Sequence, residues 1–405
     1  MSVGLTAVSE TTTVQETPQP FRVNVAEETL VDLRNRLAQT RWTDDFANAR
    51  WQYGTNGSYL KDLIGYWLEE YDWRKHEEQI NALPQFRVEI DGIPIHFVHV
   101  KGRGKRSIPL ILSHGWPWTF WDLHKVIGPL ADPAVFGGDP ADAFDIVVPS
   151  LPGYGFSTPL RLTGISAFRT ADLWVRLMQQ VLGYKRFGAQ GGDWGALIAA
   201  QLGHKYADRL LGLHIHLMVS LDALSGGTNG PMPSDYAPDE ATWIQKNQDF
   251  FARESGYASL QFTKPQTPAF ALNDSPAGLT AWILEKRRAW SDCGGDVESC
   301  FSKEELLTTV MIYWVTGSIG TSMRYYYETI NDSWHPAHDR WPVVEAPTGI
   351  AIFPNEVILQ PRRWAERYYN LKRWTKMLRG GHFAPMEQPE EMVEELRAFF
   401  RPLRS

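Results

Sequence analysis

Apolar and polar positions alternate with three different textures along this chain. In residues 25–42, "VAEETLVDLRNRLAQTRW", Leu30, Leu33 and Leu37 fall at helical spacing with charges between them. That spacing predicts an amphipathic helix. A second is predicted over residues 58–73, with Ser58 as its N-cap, and "RKHEEQINAL" continues the helical character. The period then drops to two. "QFRVEIDGIPIHFVHV" alternates on both sides of Asp91-Gly92, a type I′ turn signal, and predicts a β-hairpin.

Short apolar runs alternating with helical patterns come next. "IPLILSHG", "FDIVVPSLPG", "KRFGAQGG" and "LLGLHIHLM" read as strands, with "ISAFRTADLWVRLMQQVLG" and "ALIAAQLGHKYADRL" as helices between them. Such alternation implies a mostly parallel sheet covered on both faces. It stops near Val219. Mainly helical patches with Pro/Gly-rich joints follow, among them "ATWIQKNQDFFARESGYASLQ" and "LTAWILEKRRAW". Strand texture returns at "APTGIAIFPNEV", then "KRWTKMLRGGHF" and a final amphipathic helix over residues 389–400. A helical insertion between sheet strands reads as a cap over the strands' C-terminal ends, where open α/β sheets bind ligands. The expected organisation is a disordered tail (1–19), an N-terminal helical region (20–85), an α/β core (86–218 and 336–405) and a helical cap (219–335). The pattern allows the 20–85 region either to wrap the main domain or to form a homodimer contact.

Composition narrows the class. At 405 residues, 43% hydrophobic and 21% charged, the chain can bury a sizeable core. Its net charge of −7, with both signs interspersed, argues against a nucleic-acid footprint. No apolar run reaches the roughly 18–20 residues of a membrane span, and the first twenty residues lack the basic and apolar regions of a signal peptide. Two cysteines, Cys293 and Cys300, are too few for a disulfide framework and lack the CxxC spacing. They read as free thiols, so the expected location is the cytoplasm. Several of the 17 tryptophans fall in loops, where they read as pocket walls.

Four motifs fall at strand ends: "SHGWP" (113–117), "GGDWG" (191–195), "FPNE" (353–356) and "GGHF" (380–383). The second has the outline of the G-x-S-x-G nucleophile elbow with Asp193 in the serine's place. Asp193, Glu356 and His382 then stand in the order nucleophile, acid, histidine. The acid position has competitors in Asp222, Asp332 and Asp339. A serine nucleophile occupies its histidine as a base. A carboxylate, with a reference pKa of about 3.9, is already an anion at neutral pH. It can attack a strained or activated carbon unaided and form an ester. The histidine is then free to deprotonate a water that hydrolyses this ester.

These residues resemble the α/β-hydrolase fold from about residue 86 to the C-terminus. The cap stretches "ESGYASLQFTKPQT" and "YWVTGSIGTSMRYYYE", with the sequence before the hairpin, are similar to the soluble relatives of microsomal epoxide hydrolase. The resemblance implies an epoxide hydrolase that turns an epoxide and water into a vicinal diol. Asp193 would be the nucleophile, His382 the base and Glu356 its orienting acid. Tyr257 and Tyr326 would bind the epoxide oxygen, and the backbone N–H groups of Trp116 and Trp194 would form the oxyanion hole. Spacing alone leaves Tyr325 and Tyr327 open beside Tyr326. The membrane-bound relatives carry an N-terminal anchor, and none is expected here. The chemistry fits the residues, because an epoxide oxygen leaves as an alkoxide and a phenol, with a pKa of about 10, can protonate it.

A haloalkane dehalogenase-like enzyme shares the fold and the Asp nucleophile but needs no acid, since halide leaves as a weak base. A small-ligand binding protein with a decayed hydrolase pocket is the non-catalytic alternative. No metal or organic cofactor is implied, as HExxH, phosphate-cradling glycine loops and CxxC are all missing. The partner expected is a small epoxide, bulky and apolar or aromatic to suit the Trp/Tyr/Phe-rich cap.

Overall fold

In the computed structural model, which describes residues 17–404, the Asp91-Gly92 turn joins β2 (Gln85–Ile90) to β3 (Ile93–Val100), and Ile90 pairs with Ile93. Asp91 and Gly92 have φ of 54° and 74°, the two positive values that a type I′ turn requires. Ahead of the hairpin lie β1 (Gln19–Phe21), α1 (Glu27–Ala38), α2 (Gly57–Glu69) and α3 (Trp73–Asn81). Two expectations need correction here. The N-cap of α2 is Asn56, whose side chain accepts the Tyr59 N–H at 3.0 Å, not Ser58. Gln19, which the expected tail included, instead pairs with Arg87 on the sheet edge. Residues 1–16 of that tail lie outside the described residues.

Beyond the hairpin run β4 (Ile108–Ser113), α4 (His124–Ala131), β5 (Phe144–Pro149), α5 (Ala167–Arg176), β6 (Phe187–Gly191), α6 (Trp194–Lys205) and β7 (Leu210–Ile215). Six helices follow without a strand: α7 (Ala241–Arg253), α8 (Gly256–Thr263), α9 (Gln266–Asp274), α10 (Pro276–Trp290), α11 (Lys303–Thr316) and α12 (Ile319–Asn331). The sheet resumes with β8 (Val344–Ile352), α13 (Arg362–Tyr368) and β9 (Tyr369–Lys376), and the chain ends in α14 (Ala384–Glu387) and α15 (Pro389–Phe400).

The strands form one sheet in the order β1-β2-β3-β5-β4-β6-β7-β8-β9. Pairing is antiparallel from β1 to β5 and parallel from β5 to β9. Every residue of β5 and β6, and every residue of α6 but Lys205, is buried. That burial explains why these segments read as continuous apolar runs. Parallel strands point their C-terminal ends the same way, so the loops after β4, β6, β8 and β9 open toward the six inserted helices.

The helical region before the hairpin packs on those inserted helices. The Thr55 hydroxyl donates to the Ala281 carbonyl of α10 at 2.7 Å, and the Tyr59 hydroxyl to Glu298 at 2.8 Å. The Tyr71 and Thr308 hydroxyls meet at 3.0 Å in a buried contact with α11.

Candidate active site

Asp193 sits between β6 and α6 with φ 51° and ψ −127°, a backbone state that L-residues avoid unless their surroundings impose it. The flanking glycines show what imposes it. A Cβ on Gly195 would lie 2.0 Å from the Ser113 carbonyl oxygen, and one on Gly115 would lie 2.2 Å from Asp193 Oδ1. Only glycine lets the elbow and the loop after β4 approach this closely. The same approach brings the Trp116 N–H to Asp193 Oδ1 at 2.8 Å. Trp194 opens α6, so its N–H is one of the helix's first amides, which have no partner inside the helix.

His114 holds the loop that carries Trp116. Its Nε2 accepts the Leu151 N–H at 3.0 Å, which leaves the proton on Nδ1 to donate to the Gly115 carbonyl at 2.9 Å. Burial pushes this imidazole down to about 4, so it stays neutral.

The loops after β8 and β9 bring Glu356 and His382 together. His382 Nδ1 donates to Glu356 Oε1 at 2.6 Å, and His382 Nε2 lies 3.4 Å from Asp193 Oδ2. The second separation is ion-pair range and long for a hydrogen bond. The imidazole is fully buried, edged by Trp118 and Trp290 at centroid distances of 5.5 and 5.3 Å. Burial alone would depress its pKa. The Glu356 and Asp193 carboxylates together outweigh that and push it up to about 10.

The competitors for the acid role lie elsewhere. Asp222 binds the Ser220 hydroxyl and the Asn229 side-chain amide, Asp332 takes the Ser166 hydroxyl, and Asp339 is exposed.

Two phenols close the site from the inserted helices. Tyr257 on α8 stacks on Trp116 at 5.0 Å with an interplanar angle of 7°. Tyr326 on α12 meets Trp194 edge-on at 4.6 Å. The two tyrosine rings stand nearly perpendicular, 6.0 Å apart, and their hydroxyls interact. Burial, reinforced by the Asp193 carboxylate, raises both pKa values and keeps both phenols protonated. The neighbours in "RYYYE" are used differently. The Tyr325 hydroxyl meets Thr170 at 2.7 Å, and Tyr327 is 43% exposed.

Sequence reasoning passed over a buried ion pair beside the site. Arg287 of α10 meets Asp122 at 2.5 Å, and neither side chain is more than 2% exposed. The guanidinium lies 4.1 Å from the Phe383 ring centroid and donates to the Pro117 carbonyl at 3.3 Å. It therefore ties a cap helix to the loops of both Trp116 and His382. The signal was slight: one charge inside "EKRRAW", whose partner lies 165 positions away. Both cysteines are free, with Cys293 buried and Cys300 half-buried. No helix among the described residues is long and apolar enough to cross a membrane.

The fold and site define an α/β-hydrolase with a carboxylate at the elbow and an inserted helical cap. Comparison with known proteins agrees and goes further. A family model described as the epoxide hydrolase N terminus matches residues 18–123, and one for the alpha/beta hydrolase fold matches residues 108–272. The chain is 38% identical to a putative epoxide hydrolase of Stigmatella aurantiaca, across 95% of this chain and 85% of the relative. It is also 38% identical to epoxide hydrolase 1 of Oryctolagus cuniculus, across 95% and 89%. The structure of Aspergillus niger epoxide hydrolase superposes with a TM-score of 0.83 at 28% identity, covering 96% of this chain and 97% of that one. The chain belongs to the epoxide hydrolase family.

Proposed function

We propose that this enzyme opens an epoxide in two chemical steps, with Asp193 as nucleophile, His382 as base and Glu356 as the acid that orients it. Tyr257 and Tyr326 donate to the epoxide oxygen. The observation that carries the reading is a carboxylate on a strained turn, within 2.8 Å of a backbone N–H and 3.4 Å of a buried imidazole.

In the first step an Asp193 oxygen attacks an epoxide carbon, the C–O bond of the ring breaks, and an ester forms. The alkoxide takes a proton from one of the two phenols. In the second step His382 removes a proton from water, and the hydroxide adds to the Asp193 ester carbonyl. The Trp116 and Trp194 amides hold the resulting oxyanion, and losing one such donor typically slows a reaction about 100- to 1000-fold. Collapse breaks the bond between the Asp193 carbonyl carbon and the diol oxygen. The departing oxygen takes a proton from the imidazolium, the adduct's hydroxyl proton passes to His382 in turn, and the carboxylate returns beside a protonated His382.

Ester formation also retunes the site. It removes the Asp193 charge that helps to hold the imidazolium and to raise both phenols. His382 becomes a weaker acceptor of its resting proton and passes it to the tyrosinate, so it is neutral when water must be activated. Both protons lost are restored by the end of the cycle, and the sum is epoxide plus water to vicinal diol.

Trp116, Trp194, Trp290 and Phe262 surround the two phenols. Flat apolar walls of this kind suit a bulky apolar or aryl epoxide. The free thiols Cys293 and Cys300 suit a reducing cytoplasm.

The test is the intact mass of a His382→Gln variant incubated with styrene oxide and, separately, with a haloalkane. A gain equal to the whole epoxide, mapped to the peptide holding Asp193, is expected. A gain only with the haloalkane, equal to the alkyl group without halide, would replace this reading with a dehalogenase.

A further inference from the structure

The base loop makes an unusual use of its backbone. Gly380, Gly381, His382 and Phe383 present four consecutive N–H groups, and each buried donor needs a partner. The Gly380 N–H donates to Asp292 Oδ2 at 2.8 Å, and the Gly381 N–H to Glu387 Oε2 at 3.0 Å. The His382 N–H donates to the Trp290 carbonyl at 2.9 Å, and the Phe383 N–H to Glu387 Oε1 at 2.8 Å. None of the four goes to a neighbouring strand. Two go to the segment leaving α10 in the cap. The other two go to Glu387, which also accepts the N–H of that segment's Asp292 at 2.7 Å.

Asp292 reaches the acid loop as well. Its Oδ1 accepts from the side-chain amide of Asn355, the residue before Glu356, and the Asn355 N–H donates to the Gly380 carbonyl at 3.1 Å. The fit is close: a Cβ on Gly381 would stand 2.6 Å from the Trp290 carbonyl oxygen.

We propose that Asp292 and Glu387 are positioning residues that clamp the acid and base loops to the cap, so that ester hydrolysis depends on the cap being seated. This rests on the two-step reading above. Neither carboxylate of the clamp bonds to Asp193 or to the phenols; their partners are the Gly380, Gly381, Phe383 and Asp292 amides and the Asn355 side chain. Loosening the clamp therefore misaligns the Glu356–His382 pair, which serves the second step, and leaves the first almost intact. A misplacement of about 1 Å can slow a step about a hundredfold.

The experiment uses the full-length enzyme in single turnovers with styrene oxide, quenched in acid and read by intact mass, so that ester formation and ester loss are timed separately. In Asp292→Ala and Glu387→Gln, ester loss should slow by about tenfold or more while ester formation changes by less than about threefold. The ester should accumulate, and kcat and KM should fall together. Asp292→Asn keeps one acceptor oxygen and should recover most of the lost rate, and it guards against a variant that fails to fold. Equal slowing of both steps, or hydrolysis at the wild-type rate in both Asp292→Ala and Glu387→Gln, would overturn the clamp. His382→Gln serves as control: if it forms no ester with styrene oxide, the two-step reading itself has failed.

Discussion

Asp193 stands on a turn where a Cβ on either neighbouring glycine would strike protein atoms, and His382 on a loop whose four backbone amides are all taken. Tyr257 stands on α8, where Gln261 is buried and the other side chains are half-buried or exposed. Every side chain of the preceding α7 is half-buried or exposed as well. Tyr326 falls between these extremes: α12 buries six of its residues and is tied down by the Tyr325–Thr170 contact and by the Ala167 N–H donating to Thr329 at 3.1 Å. The groups proposed to make and break the ester are held tightly by the core. One of the two phenols proposed to serve the leaving oxygen sits on a lightly packed helix, as entry of substrate under a cap requires.

The sharpest way to break this comparison is to remove the carboxylate proposed as the core's nucleophile. Asp193→Ala should form no ester with styrene oxide and lose activity by a factor on the order of 10^4 or more. Diol formation and intact mass check it, and an adduct on any other residue would move the chemistry out of the elbow.

The cap side should show a smaller and differently placed effect. Tyr257→Phe/Tyr326→Phe removes both donors and should slow ester formation by about 100- to 10,000-fold, while preformed ester hydrolyses at nearly its usual rate. Each single variant should lose less, because the remaining phenol still reaches the oxygen. Retention of most activity in the double variant would end the acid role given to the pair.

The next effect is a matter of pH. His382 in the resting enzyme is held protonated up to about 10 by two carboxylates. In the ester only Glu356 remains charged beside it, so its proton leaves at lower pH. Ester hydrolysis needs the neutral imidazole, and its rate should therefore rise with pH, about tenfold per unit, to a plateau whose midpoint lies below 10. Rapid-quench rates across pH 5–10 test this, and a midpoint at or above 10 would mean that the Asp193 charge does not govern the base.

The same contrast explains what could be read from the sequence. The core motifs are contiguous, and the glycines in three of them are forced by close contact with neighbouring atoms, so "HGWP", "GGDWG", "FPNE" and "GGHF" carry their geometry in a few letters. The cap does not. In "RYYYE" all three rings are equally suited to a helix, and only packing sends Tyr325 to Thr170, Tyr327 to solvent and Tyr326 toward Trp194. The edge strand Gln19–Phe21 is too short for its period to show, and it exists because β2 offers a free edge. Asn56 displaced Ser58 as a cap by two positions, a typical boundary shift for a pattern read without tertiary contacts. The clamp on the base loop was invisible for another reason: Asp292 and Gly380 are 88 positions apart.

The smallest expected effect tests how the cap's better-packed half is supported. Tyr71, between α2 and α3, places its hydroxyl 3.0 Å from that of Thr308 on α11, in a buried contact. Thr308 keeps a second bond to the Glu304 carbonyl at 2.7 Å, so Tyr71→Phe leaves no orphaned group behind. The phenyl ring can still stack on His76, 4.7 Å away. The loss is then that of one hydrogen bond, about 0.5–1.5 kcal/mol. Chemical denaturation should show a lower midpoint with an unchanged slope. The rates of ester formation and loss should stay within about twofold, because no reacting group moves. A Tyr71→Phe enzyme with wild-type stability but slowed ester formation would reverse the argument. The N-terminal region would then set the position of Tyr326 directly, and the division between a rigid core and a lightly held cap would have to be redrawn through α11.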